Sequence, residues 1–195
     1  MALGSLLSVM GALTAGHAQA QTTAVYGGSP NHVDLPIDIT ASVAAVCGFA
    51  AGAAPSGSYD GADLVAGFSH DFLFTLNCST PLRVAIVSDN GGMLAPITAP
   101  AGYSSLAPYQ VALHLAGDSV SADGSCSAAS LAAGAVPPCA FIGPASPSQG
   151  LRLGGASHAP GSYLRVSAPA YAGSAPLVAS TAYVDRLTIT LAASL

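Results

Sequence analysis

The chain has 195 residues, 51% of them hydrophobic, only 7% charged and 6% aromatic, with a net charge of −5. All four basic residues are Arg (Arg83, Arg152, Arg165, Arg186), all nine acidic ones are Asp, and Lys, Glu and Trp are absent. A negative chain without a basic cluster argues against nucleic acid or an anionic membrane as partner. The scarcity of helix formers beside abundant Gly, Pro, Ser, Thr and Val argues for an all-β domain rich in turns. The length suits one domain with a real core. So few charges also give little protection against self-association, although a genome biased toward Ala and Gly would leave the same mark.

In chain order, the segment from Ala2 to Gly16 is apolar and uncharged, and Ala18-Gln19-Ala20 supplies a small-x-small cleavage signal. Residues 1–20 are therefore predicted to be a secretory signal, too short and too rich in Gly and Ser for a membrane span. No Lys or Arg precedes the apolar run, so either the α-amino group serves or the start lies upstream of Met1. An exported chain with four cysteines is expected to form two disulfides. Three pairings are possible; Cys47–Cys78 with Cys126–Cys139 is the simplest, each bridge contributing roughly 3–4 kcal/mol through loop closure. With no Cys-x-x-Cys and no close Cys/His pair, neither a metal nor another cofactor is expected.

Gln21 to Asn31 is a short polar lead. His32 to Val46 then alternates, with Val33, Leu35, Ile37, Ile39, Ala41 and Val43 on one side and Asp34, Asp38, Thr40 and Ser42 on the other. Pro36 cannot donate to a ladder, so this strand is an edge or pairs on one side only. Gly48–Asp63 reads as a loop with at most a short strand at Ser58-Tyr59. Phe68–Cys78 is a clear strand with Phe72, Phe74 and Leu76 in phase, and Leu82–Ser88 is the next, after a turn at Thr80-Pro81. Asp89-Asn90-Gly91-Gly92 is a strong turn signal. Tyr109–Leu115 alternates again. Gly117–Pro138 is low in complexity and predicted to be a long loop pinned by the second disulfide. Leu151–Leu153 and Tyr163–Val166 are short strands. The final stretch, Tyr183–Leu191, alternates strictly, with Leu187, Ile189 and Leu191 on one face. About seven short strands between turn clusters, with no helix, mean a β-sandwich or barrel. The terminal strand needs an edge partner from earlier in the chain or from another molecule.

No catalytic constellation can be assembled. His32, His70, His114 and His158 are scattered, and His70 and Asp71, adjacent in a strand, must point to opposite faces. There is no Gly-x-Ser-x-Gly elbow and no Glu for paired-carboxylate chemistry. The chain is therefore read as a non-enzyme. A self-complete sandwich that binds a glycan or a surface receptor is the alternative, with Tyr59, Tyr103, Tyr163 and Tyr171 as possible contacts.

The order of these pieces resembles the spore coat protein U-like domain, the subunit of archaic chaperone–usher pili. The matching parts are the signal, Val33–Val43, Cys47, Phe72–Cys78 with Pro81, Leu82–Ser88, Asn90-Gly91-Gly92, Leu106–Leu113 with Tyr109, and Tyr183–Leu191. Thr181 stands where the family usually has Gly, and Gly117–Cys139 is an insert with its own cysteine pair. The resemblance implies an immunoglobulin-like β-sandwich lacking one strand, with residues 21–46 as an extension and 47–195 as the sandwich domain. It implies assembly into a secreted surface fibre supporting adhesion or biofilm formation. A periplasmic chaperone and then, at the outer-membrane usher, the next subunit would fill the open groove. The donor residues would be Val33, Leu35, Ile37 and Ile39, and the acceptor residues Leu187, Ile189 and Leu191. The plain alternative is that Val33–Ile39 is the first strand of its own sandwich.

Overall fold

The computed structural model describes residues 40–41, 44–52, 57–60, 63–180 and 182–194. The expected signal at 1–20 and the donor positions Val33, Leu35, Ile37 and Ile39 lie outside the described residues. The chain divides between Val43 and Ala44, and the architecture below is that of the part beginning at Ala44.

Among its described residues this part is all-β: eleven strands and a single 3-10 turn at Ala128–Leu131. One sheet has four antiparallel strands in the order β2 (Gly67–Phe74), β10 (Ser162–Pro169), β7 (Gln110–Ala116), β8 (Ser121–Ser127). The other has three, β11 (Leu187–Ala193), β4 (Leu82–Ser88) and β9 (Leu151–Leu153). Short pairs complete the fold: β1 (Cys47–Phe49) with β3 (Leu76–Cys78), and β5 (Met93–Leu94) with β6 (Leu106–Ala107). The two larger sheets bury their inner faces against each other in the manner of a β-sandwich. Val111, Leu113, Leu115, Leu164 and Val166 meet Leu82, Val84, Ile86 and Leu153 in one core. Each of these positions is in phase with its strand's period of two, so burial follows from alternation alone.

One long side of the sandwich is closed. β4 is flanked at Leu82–Val84 by β9, then at Ile86 by Ile142 and at Ser88 by Ala132. The segment 132–150 thus continues the edge that β9 begins. The Cys126–Cys139 disulfide ties that segment to β8 in the facing sheet, and the Cys47–Cys78 disulfide joins β1 to β3. Arg83 anchors the same segment from β4, its guanidinium donating to the carbonyls of Pro147 at 2.9 Å and Gly150 at 2.7 Å. Beneath β8, Phe141 is fully buried because Gly124 has no side chain: a Cβ there would lie 2.9 Å from the phenyl ring. We expect Gly124→Ala to lower the unfolding free energy by about 1–3 kcal/mol through overpacking, measured by urea denaturation.

Three sequence expectations are corrected. The stretch Gly117–Pro138 is not merely a loop, for it contains β8 and the 3-10 turn. Its inward residues Ala122, Gly124 and Cys126 are too small to register as a hydrophobic alternation. Phe68–Cys78 is not one strand: it breaks at Thr75, where the chain leaves β10 for β1, with the Thr75 carbonyl accepting from Ala50 N–H. The terminal strand starts at Leu187 rather than Tyr183, because Asp185 is engaged by the turn after β4 and Val184 bridges Leu94 instead of joining the β4 ladder. Ser58-Tyr59 belongs to no strand.

Two surface carboxylates are held below their ordinary range and set the acid response. Arg165 donates to both oxygens of Asp71, at 2.6 and 2.7 Å, and these bonds hold the Asp71 carboxyl below its ordinary value of 3.8. Asp118 accepts from the His158 and Ala159 backbone and faces the His158 ring at 2.8 Å, which lowers it too. A carboxylate depressed on folding contributes stability that is present above its unfolded pKa and lost as pH falls through the folded one. Stability should therefore decline below about pH 4. In denaturant titrations across that range, the double variant Asp71→Asn, Asp118→Asn should show a shallower decline.

Candidate functional site: an open groove between two strand edges

The other long side is open among the described residues: β2 pairs only with β10, and β11 pairs only with β4. Two edge strands in facing sheets therefore leave the core uncovered between them, and a groove of about 990 Å3 runs there. Phe68, Phe72, Leu164 and Val166 form its wall in the larger sheet, and Leu187 and Ile189 its wall in the smaller one. Met93, Tyr109, Leu177 and Val178 also line it, together with the charged residues Asp60, Asp63, Asp185 and Arg186. Phe68, Phe72, Leu187 and Ile189 remain half-buried, whereas Leu131, Phe141 and Leu153 on the closed side are fully covered. An uncovered apolar cleft bordered by unpaired backbone is a template for an added strand.

Of the expected acceptor residues, Leu187 and Ile189 line the groove. Leu191 packs against the core beyond the lining. Phe72 is in phase with the core in sequence; Phe68, Leu164, Val166 and Leu177 give no sign of sharing a site, since only the fold brings β2, β10 and the 176–180 segment together. His70 turns to the inner face and Asp71 to the outer, as the strand period requires. Tyr59 stacks on His70 with ring centroids 4.2 Å apart, and Phe72 meets His70 edge-on at 4.7 Å.

Of the other tyrosines, Tyr163 lies on the outer face between His114, stacked at 5.1 Å, and Arg165, at 5.0 Å. Tyr103 is exposed on the β5–β6 connection, and Tyr171 donates to the Ala175 carbonyl. Of the four expected tyrosine contacts, Tyr59 alone lines the groove. Among the described residues no group of three or more His, Cys, Asp or Glu could hold a metal ion, and no helix is long and apolar enough to cross a membrane.

One end of the groove is fixed by a carboxylate. Asp185 Oδ2 accepts from Ser88 Oγ at 2.6 Å and Tyr109 OH at 2.7 Å, while Oδ1 accepts from the backbone N–H of Asn90 at 3.1 Å and of Arg186 at 2.8 Å. Ser88 Oγ in turn accepts from Gly91 N–H at 2.8 Å. Burial, and then the bond to Asp185, push the Tyr109 phenol far above its ordinary value, so it stays a donor. This network sets where β11 leaves the turn region and hence where its groove-facing residues fall.

No protein-family model, curated protein or solved structure matches this chain.

Proposed function

We propose that the chain is a structural subunit of a surface fibre, joined to its neighbours by strand donation into the groove beside β11. On this reading the sandwich is immunoglobulin-like and lacks one strand, as in the spore coat protein U-like domain. The observation that carries it is the asymmetry of the sandwich: one long side is sealed by strands and a disulfide, the other exposes a wide apolar cleft along a free edge. Val33, Leu35, Ile37 and Ile39 of the next copy supply the alternating side chains that such a cleft takes. Burying four aliphatic side chains contributes roughly 6–12 kcal/mol before ordering costs, enough for a lasting joint. The two disulfides fit a non-reducing environment, and assembly at the cell surface follows from the fibre reading. A chaperone would cover the groove until the usher delivers the next subunit. The role is structural rather than catalytic.

The test is expression in the periplasm with and without Gln21–Ile39, followed by gels run without boiling. Heat-sensitive ladders that vanish on deleting the segment support strand donation. A monomer unchanged by the deletion overturns it and favours the self-complete binding module.

A further inference from the structure

Val184, Leu94 and Leu106 form an apolar row at the end of the sandwich where β11 begins. Leu94 faces Val184 in a bridge closed by both backbone hydrogen bonds, at 2.8 and 3.0 Å, and faces Leu106 in the β5–β6 ladder. Directly opposed residues of antiparallel neighbours project on one face. The adjacent pair points inward, since Ala107 is fully buried and Met93 packs on the core. The row therefore faces solvent, with Val184 57%, Leu94 37% and Leu106 38% exposed. A single exposed aliphatic is ordinary; three aligned across neighbouring chain segments mark a contact surface.

Two observations bear on what covers it. The row is continuous with the groove, for Val184 lines it along with Leu187. The second observation is chain length. Ile39 is separated from Ala44 by so few positions that the connection spans about 17 Å when fully extended. Ala44, Ala45 and Val46 are themselves exposed, Val46 at 56%. Among the described residues every strand ladder is antiparallel, and an antiparallel strand added to β11 ends at Leu187, beside the row.

We propose that Val184, Leu94 and Leu106 seat the Ala44–Val46 stretch of a second copy of this chain. The inference rests on the strand-donation reading, and the second copy is the one whose Val33–Ile39 fills the groove. The joint then has two parts, a donated strand and an apolar seat at its exit. The seat fixes the angle between consecutive copies, which a strand alone on a short tether would leave free.

The experiment places the photoreactive residue p-benzoylphenylalanine at Leu94 in the full-length chain, irradiates the periplasmic oligomers, and maps adducts between isotopically mixed copies by mass spectrometry. The expected adduct joins Leu94 to the neighbour's 44–49 peptide and disappears when Gln21–Ile39 is deleted. The double variant Leu94→Asp, Leu106→Asp should still assemble, with ladders dissociating at least tenfold faster on heating and the monomer's melting unchanged. Oligomers that require Gln21–Ile39, yet give no such adduct and dissociate at the native rate, overturn the seat while leaving strand donation standing. Oligomers indifferent to the deletion overturn both.

Discussion

Asp185→Ala should be the most destabilising single change at the groove, lowering the unfolding free energy by about 3–5 kcal/mol. The alanine leaves the Ser88 and Tyr109 hydroxyls without their acceptor, and each buried hydroxyl stranded in this way costs about 1–3 kcal/mol. The N–H groups of Asn90 and Arg186 lose theirs as well. Asp185→Asn is expected to be milder, near 1–2 kcal/mol, because its amide oxygen can keep the two backbone donors while its NH2 turns to the hydroxyl oxygens. Tyr109→Phe removes one bond and leaves the carboxylate three. Urea denaturation of the set, analysed as a double-mutant cycle between Asp185 and Tyr109, isolates their coupling. Equal losses for Ala and Asn would mean that the carboxylate is not an organising acceptor.

The second large effect concerns assembly rather than folding. On the proposed strand-donation reading, Ile189→Asp places a carboxylate on the groove wall that is half-buried in the free chain but fully enclosed once a donated strand covers it. Removing an unpaired charge from water costs several kcal/mol, so ladder formation should fall at least a thousandfold. The isolated domain should change far less, because water still reaches the open groove. Heat-sensitive ladders on unboiled gels read the first quantity and circular dichroism melting reads the second. Ladders of native strength from a chain carrying Asp at this position would place the donated strand elsewhere.

How much of this was legible before folding depends on side-chain size. β4, β7 and β11 announce themselves because Leu, Val and Ile recur at every second position, and their inner faces are where that period puts them. β8 follows the same period with Ala122, Gly124 and Cys126, which carry no hydrophobic contrast; a facing Phe141 and a disulfide define it instead. The break at Thr75 leaves no trace in sequence, since Phe74 and Leu76 stay in phase with apolar neighbours while the chain changes partners. Alternation also runs through Tyr183–Arg186, but hydrogen-bonding demand at Asp185 outweighs ladder formation there. The groove was half visible: Leu187 and Ile189 lie on one face of one strand, whereas Phe68, Leu164 and Leu177 become neighbours only through tertiary pairing.

The placement of the arginines has a consequence for resistance to proteolysis. A trypsin-like protease needs Lys or Arg in a segment that can be drawn out into its cleft, and this chain offers no Lys at all. Arg83, Arg152 and Arg165 lie inside β4, β9 and β10, where cleavage must wait for the sheet to open. Arg186 precedes β11, its backbone N–H held by the Asp185 carboxylate. The folded domain thus presents almost nothing for such an enzyme to cut, and tryptic resistance becomes a direct gauge of how often its sheets come apart.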